Sequence, residues 1–243
     1  MKNLLNKIHL GDCMEFMKQL PDKCVDLVLT DPPYGGGSED YKTRSRYGSH
    51  WKKYKNGDAL KAAFPTGGDG AKKYEKEIEA WDVAPTRDVF EELFRVSKNQ
   101  IIWGGNYFTL PPTRCFNVWR KLTISDDFSM AMCEYAWTSF NGNAKFWEYL
   151  PRDSARLHPT QKPVDLIMRQ LEEYAKHGMV IFDPFSGSGT TAIACHKLGL
   201  DFICVERDPD YHAASVARLE KEREQGQLNL FPAQKAEQGR LFE

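Results

Sequence analysis

Short apolar runs of strand length alternate with longer amphipathic stretches along most of this 243-residue chain. Runs rich in β-branched and aromatic residues predict seven strands, at residues 8–10, 25–30, 100–104, 116–120, 134–139, 179–183 and 202–206. Apolar positions at helical spacing predict helices at residues 13–20, 86–97, 164–177, 190–198 and 209–224. Because such alternation covers a sheet on both faces, the pattern predicts an α/β fold with a mainly parallel sheet.

Three parts of the chain depart from this alternation. Residues 35–80 are rich in Gly, Lys and Tyr without clear periodicity, which predicts a long loop or insertion. Residues 225–243 are polar with two isolated apolar clusters, which predicts a flexible C-terminal tail. Residues 116–139 leave no room for a helix between their two strands, so an antiparallel pair near one sheet edge is expected. The chain is therefore expected to form one domain over residues 1–224, followed by the tail.

Charge and composition narrow the classes of partner. The net charge of −1 gives the whole molecule no bias towards polyanions, so a nucleic-acid partner would need a local basic patch. The six cysteines include no C-x-x-C pair and no His/Cys cluster with zinc spacing, which predicts core thiols in a reducing compartment and no metal. The sequence has neither a signal-peptide pattern nor an apolar run of about 18 residues, so a cytoplasmic protein without a membrane partner is expected.

Residues 180–194 are predicted to form a strand, a glycine turn and a helix. Gly187 and Gly189 let the backbone approach a ligand, and the stretch fits the dinucleotide pattern G-x-G-x-x-G/A. Glu206 ends the next predicted strand, where a carboxylate can accept hydrogen bonds from ribose hydroxyls. An adenosine-containing cofactor is therefore predicted, and an NAD-dependent oxidoreductase is one interpretation. Asp183 favours S-adenosylmethionine instead, because a carboxylate there repels a pyrophosphate but suits cationic ammonium and sulfonium groups.

A second chemical pattern follows the predicted strand at residues 25–30, in the quartet Asp31, Pro32, Pro33 and Tyr34. An exocyclic amine on adenine or cytosine is a poor nucleophile, because its lone pair is delocalised into the ring. Asp31 can accept one N–H, and a carbonyl of the proline turn, held by the fixed φ of proline, can accept the other. Tyr34 offers a face on which an extruded base can stack. The quartet therefore predicts methyl transfer to an exocyclic amine, without a metal.

The quartet resembles the (D/N/S)PP(Y/F) signature of amino-methyltransferases, and DPFSGSGT at residues 183–190 resembles their cofactor loop. The order of the two motifs resembles the β class of DNA amino-methyltransferases over most of residues 8–217. The resemblance implies a Rossmann-like, seven-stranded, mostly parallel sheet with circularly permuted motif order. It implies that the quartet is catalytic, and that the cofactor is bound by Asp12, Thr160, Lys162, Asp183, Phe185, Ser186, Gly187, Gly189, Thr190 and Glu206.

Other segments also resemble parts of this family. Asp12 lies in LGDC, which resembles the segment that contacts the cofactor adenine, and HPTQKP at residues 158–163 resembles the element that holds the methionine end. Residues 101–108 and 118–122 resemble segments that line the target-base side. Residues 140–157 are the expected position of a short target-recognition segment.

In the amino-methyltransferases that this chain resembles, DPPY usually accompanies adenine N6 and SPPY usually accompanies cytosine N4. Site-specific methylation of a flipped adenine in DNA, as in restriction-modification systems, is therefore predicted, with cytosine N4 as the alternative. RNA or protein-glutamine methylation and a catalytically silent DNA-binding module are further interpretations. The permuted motif order favours DNA over RNA or protein, and the intact quartet argues against a silent module.

The partners follow from two further stretches. Residues 41–55 carry six Lys or Arg and no acid among aromatic rings, which indicates DNA contacts by Lys42, Arg44, Arg46, Trp51, Lys52 and Lys53. A solvated loop without DNA contact is the alternative. Gln227–Phe231, QLNLF, resembles the peptide by which bacterial replication and repair proteins dock on the sliding clamp. Packing of this peptide on the enzyme's own surface is the alternative, and a homodimer is implied by the habit of the β class.

Overall fold

The computed structural model describes residues 1–35, 83–122, 131–150 and 161–230, with the side chains of the last helix described to residue 225. Eight strands occur in these residues: β1 Lys7–Leu10, β2 Val25–Thr30, β3 Ser97–Trp103, β4 Phe116–Lys121, β5 Cys133–Thr138, β6 Lys145–Tyr149, β7 Val180–Asp183 and β8 Asp201–Glu206. The α-helices of the same residues are α1 Cys13–Met17, α2 Arg87–Val96, α3 Val164–Tyr174, α4 Thr190–Leu198 and α5 Pro209–Leu230. Short 3₁₀ helices span Lys2–Leu4 and Gly105–Tyr107.

The strands form one mixed sheet in the order β1-β8-β7-β2-β3-β5-β4-β6. Strand β5 is antiparallel to both of its neighbours, β3 and β4, and the other described pairs are parallel. The α/β fold, the mainly parallel sheet and the antiparallel pair that the sequence predicted are therefore confirmed. The permuted order is visible in the topology, since β1 and β2 are separated by β8 and β7, the last two of the described strands.

The number of strands and several helix ends differ from the prediction. Strand β6 is an eighth strand, and it lies inside residues 140–157, where a target-recognition segment was expected. Its burial alternates along KFWEY, a two-residue period that is short enough to be missed in the sequence. Helices α1 and α3 each end three residues earlier than predicted. Helix α5 continues to Leu230, six residues beyond the predicted end at residue 224.

The hydrophobic core lies on both faces of the sheet. Helices α3, α4 and α5 cover one face, where Leu27 and Leu29 of β2 pack with Leu166 of α3. Helices α1 and α2 cover the other face, where Val28 packs with Leu93. Leu27, Val28 and Leu29 thus point to alternate faces and are all buried, which explains why the middle of β2 is apolar at consecutive positions.

Three further observations concern the cysteines, metal-binding groups and membrane-spanning helices. All six cysteines are free thiols, and those at positions 115, 195 and 204 are buried. Within the described ranges there is no group of three or more side chains suited to hold a metal ion. The helices in these ranges include none with the length and apolar character that a membrane span requires.

Candidate active site

The ends of β2 and β7 bring the Asp31 quartet and the glycine turn together. The two strands are parallel neighbours, with Val28 opposite Phe182, so both end at the same edge of the sheet. Thr30 Oγ1 donates a hydrogen bond of 2.7 Å to Asp183 Oδ1 across 153 sequence positions. Because open α/β sheets bind ligands at the carboxyl ends of their strands, this edge is the candidate active site.

Asp31 is held at both of its carboxylate oxygens. The Tyr34 hydroxyl donates a hydrogen bond of 2.7 Å to Oδ1, and the Lys162 ammonium forms an ion pair with Oδ2. Burial raises the pKa of Asp31, and the ammonium of Lys162 opposes this shift. Burial and the Asp31 carboxylate raise the pKa of the Tyr34 phenol far above its usual range, so Tyr34 remains a donor. The ionised carboxylate keeps further lone pairs that can accept an amine N–H.

The ring of Tyr34 belongs to an aromatic wall beside Asp31. It stacks on Tyr107 with a centroid separation of 4.7 Å and an interplanar angle of 18°, and Phe108 meets it edge-on at 6.2 Å. Gly104, with φ +66°, lies so close that a Cβ there would come within 2.1 Å of the Tyr34 ring. Tyr107 is the outer member of the wall and is 54 % exposed. These contacts hold Tyr34 in one orientation.

The glycine turn packs against the end of β8. The N–H of Gly187 donates to Glu206 Oε2 at 2.7 Å, and the N–H of Asp208 donates to Oε1 at 2.9 Å. The N–H of Ser186 donates to the carbonyl of Val205 at 2.9 Å. Gly187 has φ +50°, and no atom lies within 4 Å of the position that a Cβ would take. The structure thus places Glu206 at the turn and leaves open space beside Gly187.

Asp183 is the most enclosed acid of the site. Its Oδ1 accepts hydrogen bonds from Thr30 Oγ1 at 2.7 Å and from the N–H of Phe185 at 3.1 Å, and its Oδ2 accepts one from Thr191 Oγ1 at 2.6 Å. Burial raises the pKa of Asp183 to about 6, although these three donors oppose the shift. The described contacts of this carboxylate are therefore internal, and its contact with a cofactor stays a prediction.

The raised pKa of Asp183 predicts a particular dependence of stability on pH. The folded state binds this proton with a pKa of about 6, against 3.8 as the reference value, so protonation favours folding at low pH. That contribution is fully present below about pH 4 and is lost as the pH rises through 6, a change of about 3 kcal/mol. We expect Asp183→Asn to remove it. Urea unfolding of both proteins from pH 4 to pH 7.5 measures the difference, and parallel curves for the two proteins would contradict the expectation.

The other described cofactor candidates surround the same turn. Asp12 caps α1, since its Oδ1 accepts hydrogen bonds from two N–H groups of that helix at 2.9 and 3.1 Å. The adjacent Gly11 N–H donates to the carbonyl of Glu206 at 2.9 Å, which places Asp12 at the end of β8. Thr190 Oγ1 donates to the carbonyl of Lys162 at 3.4 Å. Lys162 therefore connects the glycine turn, through its backbone, with Asp31, through its side chain.

Gly189, the last glycine of the turn, is the N-cap of α4. It has φ +76°, and a Cβ there would come within 3.1 Å of Ser215 and 3.2 Å of Ile8. Only glycine therefore fits between the turn, α5 and β1 without displacing a neighbour. This close packing fixes the N-terminus of α4 beside the open space at Gly187.

Sequence reasoning missed three residues that the structure places near the quartet. Glu134 lies 3.1 Å from the Lys162 ammonium, Lys121 pairs with Glu134, and Tyr107 stacks on Tyr34. Signals for them existed in the sequence. Lys121 and Tyr107 lie in the two segments that resemble target-base segments, and Glu134 is a charged residue in an otherwise apolar strand.

Several predicted site residues lie outside the described residues. They are Thr160 of the HPTQKP element and the six DNA-contact candidates Lys42, Arg44, Arg46, Trp51, Lys52 and Lys53. The backbone of the clamp-like peptide is described as far as Leu230, where it is helical.

The residues at the turn fit an adenosine-containing cofactor with a cationic end. Ser186 Oγ is buried and has no hydrogen-bond partner among the described residues, so a ligand could satisfy it. The open space at Gly187 lets a ligand approach the backbone, and Asp12 and Glu206 bring carboxylates to the same edge. This donor and acceptor set suits ribose hydroxyls and positive charge better than a pyrophosphate.

Comparison with known proteins finds similarity to DNA methylases. Residues 111–217 match the family model N6_N4_Mtase, described as DNA methylase. The chain is 26 % identical to YubD of Escherichia coli (strain K12), named as a candidate methylase, over 93 % of this chain and 96 % of that protein. It is 23 % identical to the type II methyltransferase M.HinfI of Haemophilus influenzae, over 89 % of this chain and 69 % of that protein.

A solved structure shares the fold at lower identity. TTHA0409 from Thermus thermophilus, described as a candidate DNA modification methylase and complexed with S-adenosylmethionine, superimposes with a TM-score of 0.51. The identity is 20 %, and the alignment covers 89 % of this chain and 95 % of that chain. The Rossmann-like methyltransferase fold that the motifs predicted is therefore confirmed.

The matches support the predicted class, which is that of the S-adenosylmethionine-dependent DNA amino-methyltransferases. The family model covers N6 and N4 enzymes together, so the match gives the class of reaction and not the base.

Proposed function

We propose that this protein transfers a methyl group from S-adenosylmethionine to the N6 amine of an adenine extruded from DNA. The observation that carries the proposal is the meeting of the Asp31 quartet and the glycine turn at one sheet edge, joined by the bond from Thr30 to Asp183. The DNA methylase match and the solved relative complexed with S-adenosylmethionine support it.

The residues of the quartet have separable tasks in this proposal. S-adenosylmethionine supplies an electrophilic methyl group on a sulfonium. Asp31 accepts an N–H of the target amine and is the group that can take the proton which the amine loses. A carbonyl of the proline turn accepts the second N–H, and the two acceptors draw the nitrogen out of conjugation with the ring. Tyr34, held by its hydrogen bond to Asp31 and its contact with Tyr107, provides the stacking face for the base.

On the cofactor side, the proposed contacts follow the described geometry. Glu206 stands at the glycine turn with two carboxylate oxygens that already accept N–H bonds and keep lone pairs for ribose hydroxyls. Asp12 is placed beside it by the pairing of β1 and β8. Ser186 Oγ and the space at Gly187 offer polar and steric room at the start of α4.

We favour adenine N6 over cytosine N4 because the quartet begins with Asp, and DPPY accompanies adenine N6 in the amino-methyltransferases that it resembles. The geometry of the site does not distinguish the two amines. Methylation-sensitive sequencing of DNA from cells that express the chain, with nucleoside analysis, reports both base and motif, and Asp31→Ala is the matched control. N6-methyladenine at a fixed motif, lost in the control, is the expected result. N4-methylcytosine would overturn the choice of base. If the protein binds S-adenosylmethionine but the DNA of the expressing cells stays unmodified, the proposed function would be overturned.

DNA is the proposed macromolecular partner, with residues 41–55 as the proposed source of phosphate contacts. Docking of Gln227–Phe231 on a sliding clamp, a homodimer and a cytoplasmic location stay predictions from the sequence.

A further inference from the structure

A continuous row of four charged side chains ends at Asp31. Lys121 Nζ lies 2.5 Å from Glu134 Oε1, and Lys162 Nζ lies 3.1 Å from Glu134 Oε2. Lys162 also pairs with Asp31 Oδ2, and only 6 % of its side chain is exposed. The charges alternate in sign along the row, so one ammonium is shared between the proposed acceptor, Asp31, and a second carboxylate.

Tryptophan rings line the row and restrict its contact with water. Lys162 Nζ lies 4.9 Å from the ring centroid of Trp103, and Lys121 Nζ lies 5.3 Å from that of Trp119. The two rings meet edge-to-face at 6.3 Å, and both are buried. Charges in such a low-dielectric setting interact more strongly than charges at the surface.

Glu134 is the rigid member of the row. It lies on β5 opposite Trp119 of β4, and β5 is hydrogen-bonded to strands on both sides. Lys162, by contrast, reaches Asp31 through a flexible four-carbon stem that a single ion pair would fix poorly. The position of Glu134 in the sheet therefore decides where the ammonium of Lys162 sits.

The protonation states follow from these contacts. Burial alone lowers the pKa of Lys162, but Asp31 and Glu134 outweigh it and raise the pKa above its usual range. Burial alone raises the pKa of Glu134, but the ammonium groups of Lys162 and Lys121 outweigh it and lower the pKa. Both groups are thus charged at neutral pH.

We propose that Glu134 is a positioning residue for the methyl transfer. The Lys162 ammonium keeps Asp31 ionised, and Glu134, by sharing that ammonium, leaves Asp31 only partly neutralised and so able to accept the amine N–H. This inference rests on the proposed function of Asp31. Without Glu134, the whole ammonium would pair with Asp31 and weaken it as an acceptor. Without Lys162, two carboxylates would face each other, and one would take up a proton.

The two substitutions are expected to shift the titration of Asp31 in opposite directions. The described charged or titratable groups that face Asp31 are Lys162, Glu134, Tyr34 and Asp183. Glu134→Gln removes a repelling charge and lowers the pKa of Asp31, whereas Lys162→Met removes the attracting charge and raises it, each by about one pH unit or more. A purely structural role of Glu134 would leave the titration of Asp31 unchanged in Glu134→Gln, whereas the shift in Lys162→Met tests the pairing of Lys162 with Asp31.

The test combines a titration with kinetics on the full chain. Carboxyl ¹³C NMR, with Asp31 assigned through Asp31→Asn, measures the titration without any turnover. Single-turnover methyl transfer against pH, at saturating S-adenosylmethionine, measures the kinetic effect. For Glu134→Gln we expect a rate about tenfold lower and an unchanged affinity for S-adenosylmethionine. The acidic side of its pH–rate profile should move to lower pH. For Lys162→Met we expect the acidic side of the pH–rate profile to move to higher pH.

Two variants serve as comparisons. Glu222→Gln removes a carboxylate of similar exposure, 27 %, that pairs with Lys197 at 2.7 Å away from the site, and it should leave rate and titration unchanged. Glu134→Asp keeps the charge and should restore much of the wild-type pH profile.

The outcomes separate the two proposals. An Asp31 titration that is the same in wild type and in a folded Glu134→Gln would overturn the role of Glu134, and a shift in Lys162→Met would show that the measurement can detect such an effect. If Glu134→Gln fails to fold, Lys121→Met decides: it frees Glu134 to draw more of the Lys162 ammonium and should raise the pKa of Asp31, and an unchanged titration would overturn the proposal. Absence of methyl transfer to DNA by the wild type would overturn the proposed function, while the NMR titration would still decide how the charge is shared.

Discussion

Replacing Asp31 by alanine is expected to lower the rate of methyl transfer by about a thousandfold or more while binding of S-adenosylmethionine changes little. The variant loses the side chain that is proposed to accept the amine N–H. The glycine turn and Glu206, which are proposed to hold the cofactor, are joined by their own hydrogen bond and do not depend on Asp31. Lys162 keeps its second partner, Glu134, so the fold is expected to persist. Single-turnover kinetics and calorimetric titration with the cofactor measure the two effects separately.

Asp31→Asn distinguishes the charge of this residue from its shape. Asparagine keeps the size and one acceptor oxygen, but it neither attracts the Lys162 ammonium as strongly nor takes up a proton. We therefore expect Asp31→Asn to be nearly as inactive as Asp31→Ala. Methylation retained by either variant at more than a few per cent of the wild-type rate would count against the proposed role of Asp31.

Gly104→Ala is expected to cause the second large loss, through Tyr34. A Cβ at position 104 would lie 2.1 Å from Cε1 and 2.6 Å from Cζ of the Tyr34 ring, so the ring must move. Its movement would break the bond of 2.7 Å from the Tyr34 hydroxyl to Asp31 and the stack on Tyr107. We expect the rate to fall by about a hundredfold, with cofactor affinity retained. The positive φ adds a backbone cost of about 1–2 kcal/mol to the free energy of folding.

Gly199→Ala is the matched control for this backbone cost. Gly199 ends α4 with φ +65°, almost the same as the +66° of Gly104, but no atom lies within 4 Å of its Cβ position. Chemical denaturation should therefore show a similar backbone destabilisation in both variants, and only Gly104→Ala should lose activity. Equal activity in the two variants would mean that the orientation of Tyr34 has no bearing on turnover.

The local parts of the site follow from the sequence because each is built from neighbours along the chain. The Asp31 quartet stands directly after a strand whose apolar run is visible, and the order of strand, glycine turn, helix, strand and acid is continuous from Val180 to Glu206. Both motifs therefore indicate their chemistry before any tertiary contact is known. The alternation of strands and helices likewise predicts the layered fold, since a sheet buried on both faces needs apolar residues at consecutive positions.

The contacts between these parts were decided only by the tertiary structure. The partners of Lys162, namely Asp31 and Glu134, come from distant strands, and no local pattern relates a lysine after HPTQ to an acid in an apolar strand. The sequence indicated Lys162 as a cofactor contact, whereas the described fold places its ammonium on the quartet. Strand β6 was missed for a related reason: its five residues show only a short alternation, and its pairing with β4 selects the strand conformation.

The amino-acid sequence by itself thus determined the local elements and which residues are candidates for the chemistry, because the turn, the quartet and the apolar periods are local properties of the chain. The tertiary structure decided which charges meet, because the free energy of a buried ion depends on the partners that surround it in space. The ionisation of Asp31, on which its proposed role as an acceptor depends, is a property of the folded sheet edge and of no single segment.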